Sequence, residues 1–183
     1  MNRVFAFLIA AVASLSASAA TVYQYVGPNY TSASSPYTTA QRVTGQFTTA
    51  SPLAPNLALA SVLAQVTSYS FSDGVNSYAS SDPNARVIEF KVATDAAGAI
   101  SGWTVELDVW ESGTSPHTAG DLVSSMNVIG SGDLVLDSAN CSTVGTSVEG
   151  IGDCCTSTTG GSVASNLSSP GTWMPQSNDV RDT

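Results

Sequence analysis

His117 lies in Gly113-Thr114-Ser115-Pro116-His117-Thr118-Ala119-Gly120 and is the chain's one histidine. A Ser–His–Asp triad would place that imidazole between a hydroxyl and a carboxylate. Ser and Asp are plentiful, but no Gly-x-Ser-x-Gly elbow is present to expose a nucleophile. The Gly and Pro around His117 read as a solvated loop. Carboxylates offer a second chemistry. Glu106, Asp108 and Glu111 alternate on or near one extended segment, and residues two apart on a strand face stand about 7 Å from each other. Glycosidases hold their two carboxyls about 5 to 9.5 Å apart, so a secreted glycoside hydrolase is a minority reading. The simpler one is that acids on the outer face of a strand keep a sheet soluble, with Arg86 and Lys91 close by.

Binding chemistry is carried by aromatics and loop oxygens. Trp110 falls on the outward phase of its segment, Trp173 lies near the chain's end, and Tyr30 and Tyr37 occupy a Ser/Thr/Pro-rich stretch. Exposed rings stack on sugar faces while polar neighbours fix orientation. The four residues are therefore the expected contacts of a carbohydrate-binding module, against the plainer reading that Trp110 covers a sheet rim and Trp173 plugs the core. Ser72-Asp73-Gly74, Ser81-Asp82-Pro83-Asn84 and Gly132-Asp133 present oxygen ligands of the kind calcium uses. They lack the Asp-x-Asp-x-Asp-Gly spacing, and Asx turns account for the same residues. No metal and no cofactor is expected. Asn29-Tyr30-Thr31, Asn140-Cys141-Ser142 and Asn166-Leu167-Ser168 are sequons of the sort chance supplies in a chain so rich in Ser and Thr.

Three cysteines, Cys141, Cys154 and Cys155, leave one thiol over. Cys141 bridged to Cys154 or to Cys155 closes a short loop, worth about 3 kcal/mol in the chain-entropy account. A vicinal Cys154–Cys155 bridge is strained and ranks second. Metal binding ranks last.

The elements that must carry these residues are strands. In Arg86-Val87-Ile88-Glu89-Phe90-Lys91-Val92, Ile88, Phe90 and Val92 share one face, with Glu89 and Lys91 on the other. Trp103, Val105, Leu107 and Val109 alternate with Thr104, Glu106 and Asp108. A helix would wind those acids into the core; a strand holds them all in water. Thr94-Asp95-Ala96-Ala97-Gly98-Ala99 between the two runs supplies turn residues, so 86–92 and about 101–110 are expected to form an antiparallel hairpin. Further strands are expected at Val22–Val26, Val43–Thr49 and Val66–Ser72. A second hairpin joins Met126–Ile129 to Leu134–Leu136, and Thr172-Trp173 is the last extended element. Asn56 to Ala64 has helical propensity, which allows one short helix or a loop. Short strands between Gly, Pro and Ser loops predict an all-β fold: an antiparallel β-sandwich, jelly-roll or immunoglobulin-like, with at most one short helix.

The chain has 183 residues, 43% of them apolar and only 10% charged, with 5 Lys+Arg against 14 Asp+Glu and a formal charge of −9. That length suits one domain. Nucleic acid is excluded as a partner because the basic footprint is missing. Met1 to Ala20 carries Arg3, an uncharged apolar run from Val4 to Leu15 and the small-residue site Ala17-Ser18-Ala19, the pattern of a secretory leader. The run is shorter than the roughly 20 residues a spanning helix needs, so no membrane span is expected in the mature chain. Residues 1–20 are thus read as the leader, 21–174 as the β-sandwich and 175–183 as a flexible tail.

Tyr37-Thr38-Thr39, Arg42-Val43-Thr44-Gly45-Gln46-Phe47, Pro52-Leu53-Ala54-Pro55-Asn56-Leu57, Tyr69-Ser70-Phe71-Ser72-Asp73-Gly74 and the run Thr94 to Trp103, with the late Pro170-Gly171-Thr172-Trp173, together resemble bacterial exported proteins of the PEP-CTERM, exosortase-sorted type. The similarity covers roughly Tyr23 to Trp110 and returns at Trp173. It implies a β-rich protein exported by a Gram-negative bacterium that makes exopolysaccharide, and it brings no catalytic residues. After Trp173 the Pro-Glu-Pro, apolar helix and basic end of the sorting tail do not follow, which leaves two readings: the protein is released freely, or the gene has lost its tail. The combined reading is a secreted, non-enzymatic structural or matrix-associated protein, with extracellular polysaccharide as its partner and no assigned oligomeric state.

Overall fold

The computed structural model describes residues 20–177. Residues 1–19 of the expected leader lie outside the described residues. Two antiparallel sheets face each other. The first has the order β13 (Thr172–Ser177), β1 (Thr21–Val26), β3 (Thr44–Thr49), β5 (Val66–Ser72), β6 (Ser77–Ala79). The second runs β2 (Ser32–Ala33), β12 (Ser162–Asn166), β10 (Gly132–Gly145), β9 (Leu122–Ile129), β8 (Ile100–Trp110), β7 (Ala85–Thr94), β4 (Ala60–Ser61), and β11 (Cys154–Thr159) pairs with the far half of β10. The all-β sandwich expected from the alternation is what forms. The Leu/Ala-rich segment makes only β4 and a single 3-10 turn, Leu63–Gln65; Pro52 and Pro55 precede it, and its middle is drawn into pairing with β7 at Ala60↔Val92 and Ser61↔Lys91. Among the described residues, no helix is long and apolar enough to cross a membrane.

Period-two patterning builds the interior. In β1, Thr21, Tyr23 and Tyr25 are buried while their neighbours are not. In β8, Val105 and Leu107 are fully buried, and Trp103 and Val109 pack against the same cluster. The hairpin of β7 and β8 is antiparallel, as expected. Its register shifts between Val87 and Glu89, however, so Val87 rather than Ile88 joins Phe90 and Val92 in the core. A β-bulge inserts one unpaired residue and moves everything before it to the opposite face, and Ile88 is that residue.

Aromatic rings fill the space between the sheets. Trp173 of β13 lies at their centre, 5.0 Å from Tyr25, 5.3 Å from Phe47, 6.2 Å from Phe71 and 6.3 Å from Trp103 between ring centroids. Tyr23 stacks on Phe47 at 4.9 Å, and Phe90 meets Phe47 edge-on. Burying each such ring contributes about 1.5–3 kcal/mol. Gly45 sits between Tyr25 and Phe71 in the register, and a Cβ there would run into the Phe71 ring, so glycine is required for the rings to meet. β13 pairs with β1 through Ser177, past the expected domain boundary at 174; residues 178–183 of the expected tail lie outside the described residues.

Candidate functional site

The outer face of the larger sheet is not the open surface that its acids suggest. β10 carries a register shift between Leu136 and Ala139. Before it, Asp133 and Val135 point inward; after it, Ala139 and Cys141 point outward. Ser138, at positive φ (51°), absorbs the kink. Cys141 is thereby delivered to a second, smaller core with Trp110, Val123 and Cys155. The disulfide joins Cys141 to Cys155, with Cα atoms 5.6 Å apart, and leaves Cys154 free and buried. Adjacent strand residues point to opposite sides, so only one of the two neighbouring thiols can face Cys141. Burial, with the Asp108 charge nearby, raises the Cys154 thiol above its usual range.

That second core buries residues expected in water. Trp110 is on the outward phase, as the alternation indicates, yet only 2% exposed. His117 stacks on its indole with centroids 4.2 Å apart and planes 4° from parallel, and the Trp110 Nε1 donates to the Asp153 carbonyl at 2.9 Å. His117 is therefore not a solvated loop residue: its side chain is 1% exposed, with Nδ1 2.9 Å from Asp153 Oδ2. The Arg86 guanidinium reaches the same oxygen at 2.8 Å. Asp153 has φ of 59°, a conformation Asp tolerates better than most residues. Although its desolvation pushes the other way, hydrogen bonds from Arg86 and His117 hold this carboxyl well below the usual carboxylate range. The four residues clasp the 111–121 loop and the start of β11 onto β7 and β8. Ser115 adds a further hydrogen bond to the Asp153 carboxylate.

The acids behave accordingly. Asp108 is 2% exposed because β11 lies over it, which corrects the expectation that Glu106 and Asp108 share open water. Burial pushes the Asp108 carboxyl up to about 7, moderated by a Ser125 hydrogen bond and reinforced by Glu106. Burial, then the charge of Glu89, raises Glu106 as well. Glu111 accepts hydrogen bonds from Ser124 and, at 2.6 Å, from Ser138. The hollow beside Glu106 and Asp108, roofed by Thr156, Ser157 and Thr158, measures ≈ 110 Å3. That is small beside the about 300–1,000 Å3 of common ligand sites. Lys91 pairs with Glu89 on its own strand.

The remaining aromatic residues, expected on the surface, lie largely inside. Tyr30 and Tyr37 are 2% and 3% exposed, because both hydroxyls are drawn inward to Asp73. Tyr37 and Tyr78 each donate to Asp73 Oδ2 at 2.8 Å, and Tyr30 donates to the Asp73 carbonyl at 2.7 Å. Asp73 Oδ1 accepts the Val75 and Asn76 N–H groups at 2.8 and 2.6 Å. Trp173, as described, is packed into the aromatic core. None of the four rings offers the exposed flat face that stacking on sugar requires. The loop oxygens of these turns accept backbone hydrogen bonds: Asp82 accepts from Asn84 N–H, as Asp73 does from its own turn. Asp133 accepts from Tyr25 at 2.6 Å, and burial lifts its carboxyl to about 6 against that hydrogen bond.

A feature not anticipated from the sequence is the outer face of the five-stranded sheet. Two hollows, ≈ 370 Å3 and ≈ 260 Å3, lie end to end there and share Gln46 and Ser70 in their linings. Thr44, Ser72 and Ser77 line the first; Thr48, Ser68 and Ser80 line the second. Neither lining contains Asp, Glu, Lys, Arg or His. Period two in β3 and β5 does place these hydroxyls and amides outward, so half of this signal was present in the sequence. That β3 and β5 are neighbours was not. Comparison with protein-family models, with curated proteins and with solved structures finds no match for this chain.

Proposed function

We propose that the protein is an exported, non-catalytic β-sandwich component of the extracellular polymer matrix of a Gram-negative bacterium. The observation that carries this reading is the Cys141–Cys155 disulfide buried in its own small core, since such bonds persist in oxidising compartments outside the cytosol. The leader pattern of Met1 to Ala20 and the resemblance to PEP-CTERM-type exported proteins agree with it. A non-catalytic role is favoured by the acids themselves, because Asp108 is sealed under β11 and Glu111 is committed to two serines. Fractionating a tagged full-length chain expressed in an exopolysaccharide-producing Gram-negative host tests the proposal. The expected result is processed, disulfide-bonded protein in the cell-free polymer fraction. Intact precursor in the cytosol, or turnover of a chromogenic glycoside abolished by Glu106→Gln, overturns it.

A further inference from the structure

We infer that the uncharged trough on the outer face of the five-stranded sheet is a binding site for a neutral polysaccharide chain lying along β3 and β5. This deepens the matrix reading by giving it a site, and rests on that reading only for the setting in which the polymer is met. The register sets the geometry. Gln24, Gln46, Ser70 and Ala79 form one row across the sheet, and Val26, Thr44, Ser72 and Ser77 form the next. Rows repeat about every 6.7 Å along the strands and columns about every 4.8 Å across them, so the trough presents a lattice of hydroxyls and amides. The two hollows share the Gln46–Ser70 row. An extended polymer fits this layout by seating one stretch in each hollow and crossing the shared row.

The chemistry selects the occupant. On a chain of net charge −9, a two-hollow face without an acid or a base is a gap in the charge pattern. The acids elsewhere disfavour an anionic polymer over the whole surface, and the trough holds no cation to reverse that. The backbone donors and acceptors of the face are already used in the strand ladders, so a peptide would find no strand edge to extend. A protein partner would look for buried aromatic or Arg anchors; the trough offers mainly Ser, Thr and Gln, with Tyr25 and Phe71 buried and Tyr69 half-buried in its lining. Such side chains both donate and accept, and this matches a ligand whose surface is hydroxyl groups. Met174, exposed beside Gln24 in the register, adds an apolar border for a sugar's C–H face. Recognition here is chiefly by hydrogen bonding, and the half-buried Tyr69 of the second hollow is the partly exposed ring in the lining.

Native electrophoresis of the purified protein through gels containing a soluble neutral β-glucan, an α-glucan, a galactomannan or anionic alginate tests the site. The expected result is retardation by at least one neutral polymer, unchanged between low and high salt, and none by alginate. Gln46→Glu and Ser70→Glu, both at exposed positions, are each expected to weaken that retardation at least about tenfold, with circular dichroism unaltered. Thr104→Glu, on the outer face of the other sheet, should leave it as it was. Lack of retardation by every neutral polymer, retardation by alginate alone, or retardation indifferent to both trough variants overturns the inference. So does a homodimer in sedimentation that the two variants dissociate, because a second copy would then be the occupant. Retardation in the gel without co-fractionation in the host removes the matrix role and keeps the trough; co-fractionation without retardation does the reverse.

Discussion

A carboxylate without exposed surface must find donors, and Asp73 finds four on its two oxygens: Tyr37, Tyr78 and the N–H groups of Val75 and Asn76. The cluster ties the β5–β6 turn to the 30–37 segment, and it explains why Tyr30 and Tyr37 are inside. Removing the hub strands several buried groups at once, each costing about 1–3 kcal/mol. Asp73→Ala should therefore destabilise the protein by more than about 3 kcal/mol in urea unfolding. Tyr37→Phe, which removes one donor and leaves Asp73 the others, should cost only about 1 kcal/mol. Equal losses in the two variants would show that the hub does not act as a unit. From the sequence, Ser72-Asp73-Gly74 is legible as a turn. Its tyrosine partners are not, because Tyr37 precedes Asp73 by 36 positions and a hydroxyl at that distance carries no local pattern.

At the scale of elements, two bulges decide which residues meet. The shift in β7 exchanges Val87 for Ile88 in the core, and the shift in β10 sends Cys141 outward to Cys155. Strand identity was legible for much of the sandwich: β1, β3, β5, β7, β8 and the β9–β10 hairpin lie where alternation and turn residues indicate, whereas β2, β4, β6, β11 and β12, short or rich in Ser and Thr, were not legible. The bulges were not, since one inserted residue leaves the composition of a strand unchanged while reversing its faces. The staple should matter to β10 and β11 more than to the main sandwich. Cys155→Ser is expected to lose about 3 kcal/mol and to expose Trp110, read as a red shift in the emission of a variant retaining Trp110 alone. Cys154→Ser, which leaves the bridge intact, should change the fluorescence little. Cys154→Ser matching Cys155→Ser would overturn the assigned pairing.

For the whole molecule, buried carboxyls make stability depend on pH in an uncommon direction. Asp108 and Asp133 are raised to about 7 and about 6 by burial, so each binds its proton more tightly folded than unfolded. Their stabilisation is complete below the unfolded value of about 4 and is lost as pH rises through 6 and 7. Asp153 runs the other way: lowered when folded, it stabilises above pH about 4 and loses that contribution as the medium turns more acid. Denaturation midpoints should therefore peak near pH 4–5 and fall toward neutrality, by on the order of a few kcal/mol in free energy. Asp108→Asn should flatten the upper part of the fall. A midpoint that climbs from pH 5 to 8 would contradict the burial of both acids. The sheet margins follow the same economy of exposure: β2 and β4 have two residues each, β6 has three, and β13 carries Pro175, devices that discourage edge-to-edge pairing.

What the residues alone determined is the extended, two-faced character of the chain. Side chains two apart share a face whatever the fold, so alternation in Trp103-Thr104-Val105-Glu106-Leu107 is enough to name a strand and its apolar side. Which outward faces remain outward was decided only by tertiary structure. β11 and the 111–121 loop fold back over Trp110, His117 and Asp108, while nothing among the described residues covers Gln46 and Ser70. Both sets read alike as the polar side of a strand, and the difference lies in contacts between segments far apart along the chain, which a local period cannot encode.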